Sequence, residues 1–295
     1  MNKKIKFLDT NIKNKSKTVE DKIQLIKRNG VLLPLPTEIE ISESGTCNRK
    51  CSFCPRSTPG FEDKKEFISE NLITKVAKEL NSLDYSGVIR FSGFVEPMLD
   101  KNIYNHIKNF KFFLPNCRIE MVSNGDPLNA DRLKKLFVNG LDKILISAYD
   151  GAEDVKKFEE MVSKCELNTD QYIIRDRSLP EEEDFGITLS NRSGMMENAE
   201  YKIAKLKNPL NNPCYIPSYT LFFDYLGDVL ICPHDWGKKI ILGNLKEENL
   251  LDIWFKEKSM KIRKQLSNSN RKFSPCNVCD VNGTLMGEAN SKYYM

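Results

Sequence analysis

Cys47, Cys51 and Cys54 stand in the run TCNRKCSFCP, residues 46–55. A structural zinc site closes its tetrahedron with four nearby ligands, and the next cysteine along this chain is Cys117, far outside any local loop. Three thiols on one tight loop can hold three irons of a four-iron four-sulfur cluster and leave the fourth iron open to an exogenous ligand. A zinc loop or a chance grouping is the competing reading of the same residues. A second set, Cys214, Cys232, Cys276 and Cys279, includes a CxxC half. Four thiols can complete a closed ligand shell, so this set reads as a fully ligated centre, either a cluster or a structural zinc ribbon. His234, two residues past Cys232, is a further ligand or donor candidate. Cys117 and Cys165 lack partners at metal spacing and read as buried or incidental thiols.

The segments that must position these thiols alternate between strand-like and helix-like patterns. From about residue 37 to 190 they run EIEISES, a helix near 69–82, VIRFSG, a helix near 100–113, RIEMVSNG, a helix near 130–140, KILISAYD, then QYIIRDRS and FGITLSN. Such alternation predicts parallel strands with crossover helices, hence an α/β fold built as a partial (β/α)6 barrel of TIM type. Functional residues gather at strand exits in that architecture. The three-cysteine loop follows the first strand, and SGFVEP, SNGDP and SAYDG follow the next three.

Ahead of the barrel, residues 1–36 form an extension. There Thr18 to Asp21 suggests a capping box, with Val19, Ile23 and Ile26 on one helical face and Gly30 as its stop. The barrel is expected over 37–205. Residues 206–295 change character: two short apolar strands flank a turn at Leu226 to Asp228, and a helix follows near 247–267. This part reads as a small β-hairpin-plus-helix domain, with Trp254, Leu250, Leu251 and Ile253 as core.

The 45 basic residues exceed the 41 acidic ones too slightly to argue for nucleic acid, and the Lys-rich N-terminus reads as a solvated face. No apolar run approaches the roughly 18 residues of a membrane span, and the N-terminus lacks the apolar core of a signal peptide. A cytoplasmic protein without a membrane partner is the expectation, in which nine cysteines serve as ligands or buried thiols rather than disulfides.

CxxxCxxC directly after a strand, with Phe53 before the last cysteine, resembles the radical S-adenosylmethionine (radical SAM) enzymes. In that family the open iron chelates the amino and carboxylate groups of the cofactor's methionine part. An electron from the reduced cluster then breaks a carbon–sulfur bond to give a deoxyadenosyl radical. SGFVEP is similar to the family's glycine-rich methionine-binding exit, which implies cofactor roles for Gly93 and Glu96. It departs from the usual GGE by carrying Phe94 and Val95 between them. The resemblance places Asn124 and Ser147 at exits that contact the cofactor's ribose or carboxylate. LSNRSGM, residues 189–195, resembles a segment of members with an extra cluster, where Arg192 would pair with the cofactor's carboxylate or with substrate.

The second cysteine set, with Gly227 before DVLIC and LGNLKEENLLDIW beyond it, resembles the SPASM and twitch domains appended to such enzymes. Four cysteines suit the twitch version, with one auxiliary 4Fe-4S cluster. Together these resemblances imply S-adenosyl-L-methionine and two 4Fe-4S clusters as cofactors, and a reducing partner such as flavodoxin or ferredoxin. They also imply removal of hydrogen from a small molecule, a sugar or aminocyclitol, ending in two-electron oxidation with the second cluster as acceptor. Radical crosslinking or epimerisation of a ribosomal peptide is the rival enzymatic reading, and a non-catalytic zinc-binding module is the rival of another class.

Overall fold

In the strand segments a charged residue alternates with an apolar one, and a computed structural model, which describes residue 15 and residues 19–179 and 189–295, shows where each half goes. Strands β3 (Glu38–Ser42), β6 (Val88–Phe91), β7 (Arg118–Ser123), β8 (Lys143–Ala148) and β9 (Tyr172–Asp176) lie side by side in parallel. Their odd-numbered apolar members in one row, Ile39, Ile89 and Ile119, share register and are fully buried. They pack on four crossover helices: α1 (Glu70–Asn81), α2 (Ile103–Phe113), α3 (Ala130–Val138) and α4 (Ala152–Ser163). Leu72, Ile73, Val76 and Leu80 give α1 its apolar stripe, and Ser69 caps it by accepting from the Leu72 amide. Each such buried aliphatic or aromatic side chain contributes about 1.5–3 kcal/mol.

The opposite face of the same sheet is charged. Glu40, Arg90, Glu120 and Lys143 occupy one register row across four strands. Arg90 binds Glu38 at 3.0 Å and Glu120 at 2.8 Å, and Lys15 reaches Glu38 at 2.8 Å. Burial alone would raise Glu38, but Arg90 and Lys15 outweigh it and hold its carboxyl below the ordinary value. A parallel sheet covered on both faces reads as a continuous apolar run; alternation here marks a polar interior facing the barrel's hollow. Lys15 therefore departs from the expected solvated N-terminal face.

The sixth parallel strand comes from further along the chain. β10 (Thr220–Asp224) pairs in parallel with β3, and its hairpin partner β11 (Asp228–Leu230) and β12 (Ile241–Asn244) extend the sheet beyond it. The expected strand FGITLSN lies for the most part outside the described residues, and Arg192–Gly194 forms a tight helical turn rather than strand. The C-terminal hairpin is thus a continuation of the barrel sheet, turned at Gly227 with φ +86°.

Two local expectations need correction. Of the capping box, Thr18 lies outside the described residues. Val19 to Asp21 are helical, but the lead-in helix through Gly30 gives way to an antiparallel hairpin, β1 (Leu25–Arg28) and β2 (Val31–Pro34). The cause is Asn29-Gly30, whose φ values of 51° and 82° suit a two-residue hairpin turn. The helix expected near 247–267 is two, α6 (Leu250–Trp254) and α7 (Glu257–Ser267), separated at Phe255 and Lys256; short α5 (Ile216–Tyr219) precedes β10. Trp254 is core as expected, donating to the Pro34 carbonyl at 2.9 Å beneath the Arg263 guanidinium.

Candidate functional site

Strands β3, β6, β7 and β8 each end at the same rim, and their exits line one cavity. Its walls include Cys47, Cys51 and Cys54 together with Phe53, Gly93, Glu96, Asn124, Ser147 and Arg192. Every residue singled out from the first cysteine loop and the strand exits therefore meets in one place.

The cysteine loop leaves β3 through β4 (Ser44–Gly45), which pairs with β5 (Lys64–Phe67). Arg49, inside the loop, binds Asp126 at 2.6 Å and Asp150 at 2.7 Å, so the loop is riveted to the exits of β7 and β8. Asn48 adds a bond to Asp126 at 2.8 Å and accepts one from Asn124 at 2.8 Å. Cys47 accepts the Arg49 amide at 3.4 Å. Burial raises all three thiols, Cys51 to about 11; a bound metal centre would offset this by taking the thiolate outright.

Glu96 is 1% exposed, and its carboxylate accepts from the Asn124 amide at 2.7 Å, Ser123 Oγ at 2.8 Å and the Met98 amide at 3.0 Å. Burial lifts it to about 7 against those three donors. The carboxylate thereby ties the β6 exit to the β7 exit. Gly93 turns the chain with φ +99°, and a Cβ there would stand 2.8 Å from the Phe222 ring. One glycine supplies the close approach, so Phe94 and Val95 are accommodated. Ser147 accepts from Arg175 at 2.7 Å. Aromatic rings form a further part of the wall, with Phe94 between the tilted rings of Phe222 at 4.8 Å and Trp236 at 4.3 Å.

Arg192 and Ser193 sit in the left-handed region, with φ 47° and 52°, a conformation costing about 1 kcal/mol or more per non-glycine residue. Asn191 holds them there: its side chain donates to the Ala204 and Val278 carbonyls and accepts from the Gly194 amide. Arg192 Nε is buried without a hydrogen-bond partner in the protein, an orphaned donor in the cavity wall.

Cys214, Cys232, Cys276 and Cys279 line a second cavity with His234 and Arg271. Burial first, then Cys276, Cys279 and Cys214, push the Cys232 thiol well up. A Cβ at Gly283 would collide with Cys214 Sγ, which makes glycine part of the cradle. Arg271, 1% exposed, leaves Nε unpartnered beside the thiols. A buried cation fits an anionic sulfur centre. Among the described residues no group of three or more His, Cys, Asp or Glu is arranged to hold a single metal ion. Four thiols bordering one cavity are a donor set that a cluster can use, each binding a different iron. Cys117 and Cys165 are buried away from both cavities and donate to the Tyr85 and Met161 carbonyls.

Sequence reading missed Arg49, Asp126, Asp150, Arg56 and Trp236. Asp126 and Asp150 were within the quoted exits SNGDP and SAYDG; acids recurring beside glycines at successive exits, opposite an arginine in the cysteine loop, were the available signal. Arg56, 4% exposed, donates to the Phe94 carbonyl and pairs with Asp63.

Comparisons with known proteins fall on the same two regions. The model of the radical SAM superfamily matches residues 41–163, and that of an iron-sulfur cluster-binding domain, SPASM, matches residues 214–280. S-adenosyl-L-methionine-dependent 2-deoxy-scyllo-inosamine dehydrogenase of Niallia circulans is 29% identical over 244 residues, covering 82% of this chain and 92% of that protein. The crystal structure of BtrN in complex with AdoMet and 2-DOIA superposes with a TM-score of 0.71 at 29% identity, over 84% of this chain and 94% of that one. Native anSMEcpe with bound AdoMet shares the fold, with a TM-score of 0.55 at 12% identity, over 87% and 95% of the two chains.

Proposed function

We propose, for a chain that belongs to the radical SAM enzymes and carries a SPASM-type C-terminal domain, the two-electron oxidation of a hydroxyl-bearing ring such as an aminocyclitol. The observation that carries the reading is the pairing of a three-thiol loop with a separate four-thiol cavity. One centre is left a position for a cofactor; the other has none to spare. Cys47, Cys51 and Cys54 would hold the first 4Fe-4S cluster, and Cys214, Cys232, Cys276 and Cys279 the second. When bound, the first cluster with S-adenosylmethionine supplies a radical that removes a hydrogen atom, and the second supplies a one-electron acceptor.

The chain's own residues bind and orient. Phe53, Gly93, Glu96, Asn124 and Ser147 border the cofactor space, with Glu96 fixing two exits rather than offering a free carboxylate. The unpartnered Arg192 Nε donates to a carboxylate of the cofactor or a hydroxyl of the substrate. Phe94, Tyr149 and Trp236 exclude water from the reacting carbon. Overall, a secondary alcohol loses one hydrogen as an atom and the other as a proton and an electron. The relative's printed activity on an aminocyclitol supports that substrate class. A reductant of the flavodoxin or ferredoxin type, in the cytoplasm, delivers the starting electron. The barrel is assigned to 37–205 and the cluster-bearing part to 206–295; among the described residues no helix is long and apolar enough to cross a membrane.

Anoxic reconstitution with iron and sulfide, followed by assay of deoxyadenosine release and oxidation of 2-deoxy-scyllo-inosamine, tests the proposal. Wild type is expected to form both products and Cys51→Ala neither. Deoxyadenosine formed equally by Cys51→Ala would refute the site, and deoxyadenosine without ketone would refute the substrate class.

A further inference from the structure

The two cavities are joined by one side-chain contact. Arg192 lines the first, His234 lines the second, and Arg192 Nη1 lies 3.3 Å from His234 Nδ1. A guanidinium can only donate, so Nδ1 is the acceptor and the imidazole is the neutral tautomer with its proton on Nε2. His234 stands two residues past Cys232 and borders the same cavity as all four thiols of the second set. The same residue thus borders the second thiol set while its ring holds the side chain that lines the first chamber.

The far side of this contact is fixed just as firmly. The left-handed turn that aims Arg192 is held by Asn191, whose amide group donates to Val278, between Cys276 and Cys279. Asp280, one residue past Cys279, accepts the Asn191 backbone amide at 2.9 Å and the Ser190 hydroxyl at 3.0 Å. Arg192 is therefore clamped from two sides by the loops that carry Cys232 and the CxxC pair. A surface salt bridge would need none of this scaffolding.

We propose that His234 is a positioning residue coupling the second iron-sulfur centre to the reaction chamber: it holds the Arg192 guanidinium in the chamber wall and turns its Nε2–H toward the sulfur-lined cavity. This rests on the reading of that cavity as a cluster site. A hydrogen bond to sulfur favours the more negative, reduced cluster, so losing it lowers the reduction potential. Losing the grip on Arg192 leaves the substrate less well placed when its electron departs.

The test is a redox titration, followed by electron paramagnetic resonance, of the reconstituted full chain carrying Cys47→Ala, Cys51→Ala and Cys54→Ala, so that only the second centre is read. Adding His234→Ala is expected to disfavour the reduced state about tenfold, a fall of about 59 mV for one electron, and His234→Gln to recover most of it. In the otherwise wild-type enzyme, His234→Ala is expected to lower ketone formed per deoxyadenosine several-fold. An unchanged potential with unchanged product ratio overturns the proposal. Loss of the second centre's iron in both the Ala and Gln variants also overturns it, by making His234 a ligand. A wild-type chain with no second iron centre would be recognised from its iron content before any His234 variant is made, and would take down the underlying reading together with this one.

Discussion

Gly93 shows how far one residue reaches. Its φ of +99° and the Phe222 ring 2.8 Å from a would-be Cβ leave no room for a side chain. Gly93→Ala is expected to cost about 1–3 kcal/mol, from left-handed strain and displacement of that ring, measured by anoxic urea unfolding. Because Phe222 packs on Phe94 and Phe94 on Trp236, the same variant should bind S-adenosylmethionine more weakly; full stability and affinity would show that the exit does not need glycine. At this scale the thiols were legible, because ligand chemistry is confined to few residue types and short spacings. The arginines were not. Arg49 is one of 45 basic residues, and what distinguishes it is a pair of aspartates 77 and 101 positions away.

At the scale of elements, alternation in EIEIS, VIRF and RIEMVS predicted the strands and also held their less obvious message, that the sheet's second face is polar. Arg90 is the centre of that face, buried between Glu38 and Glu120. Arg90→Met would remove the cation that Glu38 and Glu120 share, leaving each with one partner, Lys15 and Arg118, and a loss of about 3 kcal/mol, the low end for a broken buried pair, is expected in urea unfolding; a change below about 1 kcal/mol would mean the row is wet and screened. The elements misread from sequence were those where a turn outweighed a period. Asn29-Gly30 converts an apparently amphipathic run into a hairpin, and the break at Phe255 and Lys256 divides a pattern that reads as one helix.

Across the whole molecule, strand order was the least legible property, since pairing of β10 with β3 brings together residues about 180 positions apart and leaves no local mark. The C-terminal segment, expected as a small β-hairpin-plus-helix domain, shares a sheet with the barrel through β10. That continuity sets the four-thiol cavity beside the three-thiol rim, with Arg192 and His234 between them. The division of labour between the two centres is what the account depends on. Electron paramagnetic resonance of the reduced, reconstituted protein, with and without S-adenosylmethionine, tests it most directly. Wild type should hold about eight irons and the variant lacking Cys47, Cys51 and Cys54 about four. The cofactor should alter the wild-type spectrum and leave that variant's unchanged. A cofactor-dependent change in the variant, or no iron in either protein, would contradict the account.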